Sequence, residues 1–195
     1  KTRNTILFRD AKSKKTVIHS SHLQRWTSEK RDQLFDNIDL CDISDYNIAN
    51  GVPKLSGIGS FELFKALHDG SSCVYDLIST DGEGTSTIVI NGTAYNWLCI
   101  YDHQPPSVDE KGADYISGTT KAYNTQDSRT RYFCIALLSN RIAYWYWAAI
   151  GDGFHLNSSF LKYCGIKTVP IIWENLLFSM LVHPAGTKAA EQFGI

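Results

Sequence analysis

Residues 131–150, RYFCIALLSNRIAYWYWAAI, decide how this chain folds. At 3.6 residues per turn the stretch presents apolar side chains on every face, the run Tyr144, Trp145, Tyr146, Trp147 included. A helix that is apolar all round is buried in a core or crosses a membrane. Asn140 and Arg141 interrupt this one, and no run approaches the ~18 apolar residues of a membrane span. The pattern predicts one central core helix ending at Gly151, with most of its aromatics spent on packing.

Working outward, Asp152 and Gly153 form a turn, and Asn157 or Ser158 can cap a short helix. A last apolar helix is expected over 172–183, with Pro170 before it and Pro184 stopping it. Upstream, 87–90, Asn91-Gly92 and 93–101 read as a β-hairpin, because Asn-Gly supplies the positive-φ residues of a tight primed turn. Residues 73–79 and 115–123 read as further strands, and 16–20 as a short one. A helix over 60–70 has Ser60 as N-cap and Gly70 closing it. Thr27 caps another through Ile38, with Glu29 in its first turn and Trp26, Leu34, Phe35 and Ile38 as its apolar face. The sum is an α+β chain: a small, mostly antiparallel sheet packed against several helices around the aromatic-rich central helix. Length allows one domain over 46–195, led by a connector over 1–45.

The composition is that of a globular protein: 43% hydrophobic and 20% charged residues provide for a core and exclude disorder. Net charge is only -1, but its distribution is uneven. Residues 1–35 carry nine Lys/Arg against three acids, 36–117 three against thirteen, and 118–195 seven against four. Such asymmetry points to a polyanionic partner. The five cysteines are scattered with no Cys-x-x-Cys pair, which argues against zinc and a disulfide framework and for a reducing cytoplasm. The chain opens at Lys1 with neither initiator Met nor secretory signal, as expected of a piece of something longer.

Motifs for catalysis are weak. Ser56-Gly57-Ile58-Gly59 lacks the preceding strand and glycine spacing of a phosphate loop. Asp109-Glu110-Lys111 and Asp10-Ala11-Lys12 match a nuclease triplet, yet neither sits in an apolar strand, so a nuclease is a minor alternative. The six histidines are dispersed, and Asp102 and His103 are expected to point apart on an extended chain. Adenine-N6 methyltransferases need Asn/Asp-Pro-Pro-aromatic to accept from the target amino group and stack on the flipped base. Gln104-Pro105-Pro106-Ser107 offers no stacking face, and no S-adenosylmethionine glycine motif precedes it. Methyl transfer is therefore not expected from this chain.

Two blocks resemble a known family. Leu137-Leu138-Ser139-Asn140-Arg141, the aromatic run to Trp147, and Gly151-Asp152-Gly153-Phe154-His155-Leu156-Asn157 are similar to a segment in the target-recognition regions of bacterial N6-adenine DNA methyltransferases. Those relatives carry a Leu-Leu-Asn-Ser helix, an aromatic run and an Asp-Gly-aromatic-His turn; here Ser-Asn replaces Asn-Ser. Arg25-Trp26, Glu29, Arg31 and Leu34-Phe35 resemble the family's linker, with Lys30 in place of a second glutamate. The resemblance covers about 20–165 and extends to type IIG restriction–modification enzymes and type I specificity modules. It implies an upstream S-adenosylmethionine-dependent methyltransferase domain in the same polypeptide, often a nuclease too, and a phage-defence role. It also implies that the fragment itself needs no cofactor and that its partner is double-stranded DNA.

Recognition requires cations to fix phosphates and polar side chains to read base edges. The expected DNA-binding residues are Arg25, Lys30, Arg31, Lys121, Arg129, Arg131, His155, Asn157, Ser158 and Ser159. His155 and Asn157 can equally bond the backbone of their own turn. The acidic stretch 36–117 would face away from DNA or pack on the methyltransferase domain. The rival expectation is a protein-interaction or assembly module of a DNA-defence complex, marked by a flat apolar patch instead of a basic concave face.

Overall fold

The computed structural model describes residues 17–24, 26–36, 38–47, 51–68, 72–80, 84–94 and 96–165. The helix expected over 172–183, the triplet at Asp10 and the site candidate Arg25 lie outside them. The fold is α+β. A two-stranded antiparallel ribbon pairs β1 (His19–Ser21) with β2 (Leu40–Asp42). A four-stranded antiparallel sheet has the order β3-β6-β4-β5, from β3 (Ile78–Ser79), β4 (Ser86–Asn91), β5 (Ile100–Tyr101) and β6 (Thr120–Thr125). The helices are α1 (Ser60–His68), α2 (Ser128–Leu138), α3 (Arg141–Ile150) and α4 (Ser158–Tyr163).

The 131–150 stretch is two helices, not one. Asn140 divides it by serving both ends. Its Oδ1 accepts from the Ile142 and Ala143 amides, capping α3, while its Nδ2 donates to the Ala136 and Leu137 carbonyls that α2 leaves open. Periodicity could not expose this, since apolar residues continue on both sides of the break. Its burial is also uneven. Tyr146 and Trp147 are fully buried, whereas Tyr132 and Phe133 on α2 are exposed.

A polar chain threads the core. The single proton of the Tyr146 hydroxyl goes to the Tyr163 carbonyl (2.9 Å), so His68 Nδ1 must donate to the Tyr146 oxygen (2.8 Å). In neutral His68 this leaves Nε2 to accept from the Tyr46 hydroxyl (3.3 Å). The loop after β2 is thereby tied to α1, α3 and α4. Around it pack Phe64, Phe160, Leu137, Leu138 and Leu161, with Ile88 and Tyr123 facing each other across β4 and β6. Cys41 and Ile43, within the segment expected as a connector, belong to the same core.

Three other expectations are corrected. The Asn-Gly pair makes no primed turn: β4 runs through Asn91, whose Oδ1 accepts from the Thr93 amide, and only Ile100–Tyr101 returns along β4. Gly92 is needed for close approach, because a Cβ there would lie 2.9 Å from the Thr119 carbonyl oxygen. Within 73–79, Asp76 accepts from the Cys73 amide and draws Val74–Leu77 into a 3-10 turn before the two-residue β3. The helix expected from Thr27 to Ile38 is a 3-10 turn, Ser28–Gln33, with no side-chain cap; Trp26 and Phe35 on its supposed apolar face are exposed. Without burial of that face, tertiary packing does not extend the helix.

Because one side chain serves two helix ends, Asn140→Ala should lower unfolding free energy by about 2 kcal/mol. Urea unfolding would check this; a loss below about 0.5 kcal/mol would contradict the double cap.

Candidate nucleic-acid interface

The turn after α3 is built around Asp152. Its Oδ1 accepts from the Phe154 (2.8 Å) and His155 (2.7 Å) amides, and Oδ2 meets His155 Nδ1 at 2.6 Å. Gly153 sits at φ +75, where a side chain would be strained, and a Cβ there would also meet Leu23 Cδ2 at 2.8 Å. The buried Trp147 indole donates to the His155 carbonyl at 2.9 Å. Ala94 donates to the Phe154 carbonyl and Leu156 to that of Gly92, fastening the turn to the end of β4. Burial works against the charge on Asp152, but the hydrogen bonds from the His155 ring and the two amides outweigh it and hold the carboxyl at about 2. Nearby, burial pulls Lys54 below the ordinary lysine range, with the Asp152 charge opposing it.

Next in the chain, Asn157 accepts from the Phe160 amide and caps α4. Beside the start of α4 lies a groove of about 430 Å³ lined by Tyr75, Thr80, Lys121, Ala122, Tyr123 and Ser158. Lys162 adds a second cation at this edge, its Nζ 5.1 Å from the Tyr75 ring centre. Tyr123 is 6% exposed, and its hydroxyl has no hydrogen-bond partner among the described residues. Burial pushes its phenol up, so at neutral pH it is a donor. The groove thus combines an ammonium with the hydroxyls of Tyr75, Thr80, Tyr123 and Ser158, and among the described residues no carboxylate lines it. That set suits an oxyanion such as a phosphate.

Lys121 and Ser158, 37 positions apart, are brought together in this groove, and exposed His155 and Ser159 lie on the chain leading into α4 and within it. Arg129 is exposed in the first turn of α2, its charge acting on the capping Asp127. Arg131 is turned onto its neighbour: its guanidinium lies 4.7 Å over the Tyr132 ring, Nη2 donates to the Tyr132 hydroxyl, and Nε is buried with no hydrogen-bond partner among the described residues. Its charge also acts on Asp102. Lys30 and Arg31 stand on the exposed 3-10 turn, with Arg31 6.0 Å from the Trp26 ring centre, outside the groove lining.

Sequence reasoning missed Tyr75, Tyr123 and Lys162, which no motif marks. It also misjudged Asp102 and His103, whose side chains meet at 2.6 Å because the backbone bends there. All five cysteines are free; burial pushes the thiols of Cys134 and Cys164 to about 11 and about 12. Among the described residues no group of three His, Cys, Asp or Glu is placed to hold a metal, and no helix is long and apolar enough to cross a membrane. Comparison with protein-family models, curated proteins and solved structures finds no match.

A carboxyl depressed on folding contributes stability that is present above its unfolded value of about 3.9 and is lost as pH falls through the folded one. Asp152, held at about 2, should therefore make the wild type more stable than Asp152→Ala at pH 5, with the gap closing between about pH 4 and pH 2. Thermal melts of both proteins across that range would test this, and a constant gap would contradict it.

Proposed function

We propose that this chain binds duplex DNA sequence-specifically, as the target-recognition part of a restriction–modification N6-adenine DNA methyltransferase. The observation that carries this reading is the groove in which Lys121, Tyr123 and Ser158 converge, with no carboxylate in its lining among the described residues. Phosphate contacts of this kind set the register of a protein on the duplex, while neighbouring side chains read bases. His155 and Ser159, exposed on the chain leading into α4 and within it, are the side chains assigned that second task. The aromatic core behind them supplies the rigid mount that precise readout requires.

On this reading, adenine methylation belongs to an upstream domain of the same polypeptide, which binds S-adenosylmethionine; this chain holds no cofactor. The parent works in the cytoplasm, where phage DNA is met, and can also carry a nuclease. A second reading, docking in a DNA-defence assembly, is favoured by one feature. The excursion closed by the Val108–Asp114 bridge exposes Val108, Tyr115 and Ile116 beside the acidic Asp109, Glu110 and Asp114. That surface suits a protein neighbour better than a phosphate backbone.

Fluorescence anisotropy with labelled duplexes tests the DNA reading. Lys121→Ala should weaken binding about equally for all sequences and reduce the salt slope by about 1. Unchanged affinity and slope would remove the groove from the interface, and methyl transfer by the purified chain would overturn the placement of catalysis.

A further inference from the structure

We propose that His155 is a base-reading residue that accepts the N6 amino hydrogen of an adenine in the major groove at its Nε2, with Asp152 as the positioning residue that fixes its tautomer. This rests on the DNA-binding reading above and names the chemistry of one contact within it.

The geometry leaves the imidazole little choice. An ionised carboxylate only accepts, so the 2.6 Å contact between Asp152 Oδ2 and His155 Nδ1 places the ring proton on Nδ1. In the neutral ring Nε2 is then a pure acceptor. The side chain is 60% exposed, and Nε2 has no partner among the described residues. The backbone of the same residue is held from both sides, its amide by Asp152 and its carbonyl by the buried Trp147 indole. A single acceptor is therefore presented to solvent from a residue fixed at three points.

Major-groove edges select what such an acceptor can read. Guanine N7 and O6 and thymine O4 are acceptors and would oppose its lone pair; only adenine N6 and cytosine N4 offer hydrogens. Phe154 favours adenine. Its ring stands edge-on to the imidazole with centroids 4.7 Å apart, an apolar surface beside the acceptor. An A·T pair presents an amino donor and a thymine methyl on the same edge, and a C·G pair has no methyl. The Asp102–His103 pair has the same 2.6 Å contact, but among the described residues no core side chain holds its backbone as Trp147 holds that of His155. It serves as an internal control.

The test is selection from a randomised duplex pool in mildly alkaline buffer. Wild type and His103→Ala should both enrich adenine at a position where His155→Ala does not, with about fivefold lost discrimination. Imidazole 15N spectra should show the Nδ1–H tautomer in wild type and its loss in Asp152→Ala. A parallel arm avoids reliance on the folding of any variant: wild type is titrated with the selected duplex carrying purine, which lacks the amino group, in place of that adenine. A fivefold weakening is expected. If duplex binding persists but neither His155→Ala nor the purine analogue changes it, the inference fails and the DNA reading stands. Enrichment of cytosine at the His155-dependent position overturns the choice of adenine. If wild type binds no duplex, both fall.

Discussion

The indole of Trp147 is the constraint on which this structure turns. A fully buried Trp brings a large apolar surface into the core together with one N–H that must find an acceptor. The acceptor is the His155 carbonyl, eight residues on. Satisfying that one donor forces the chain to leave α3 at once and fold back, and Asp152 and Gly153 supply the turn. An exposed part of the candidate interface is in this way bolted to the buried core. Precision at the surface follows from an unavoidable requirement of the interior.

A neighbouring residue solves the same problem differently. Tyr146 is equally buried, and its hydroxyl joins His68, Tyr46 and the Tyr163 carbonyl. Each member of that chain satisfies the next, so these three side chains are buried or half-buried with their polar atoms paired. The two aromatics divide the labour: Tyr146 gathers α1, α4 and the loop after β2, while Trp147 holds the turn that precedes α4.

Charge distribution takes on meaning in this frame. Lys121 and Lys162 come from the basic C-terminal part, and Tyr75, from the acidic middle, contributes an aromatic ring and no carboxylate to the groove. Acids of the middle stretch appear instead on the excursion around Asp109, among exposed apolar side chains. Two surfaces of different character thus coexist on one scaffold, one suited to phosphate and one to a protein neighbour.

Much was legible from residues alone. The α+β class, the aromatic core, the end of α3 before Gly151, the Asp152-Gly153 turn and the Asn157 cap all follow from local rules, in which a side chain bonds backbone within a few positions. The break at Asn140 was less legible, because apolar content is continuous across it and only the double cap reveals it. The failed hairpin at Asn91-Gly92 has a similar cause: the close approach of Thr119 and the bond from Leu156, both distant in sequence, override the turn preference. The sequence by itself determined which segments must be buried and which side chains can cap, since hydrophobicity and short-range hydrogen bonding act on neighbours. Only the tertiary structure decided that Lys121, Tyr123 and Ser158 share a groove and that Arg131 is spent on Tyr132. Those outcomes depend on which strands pair and which helix faces meet, and no spacing along the chain encodes them.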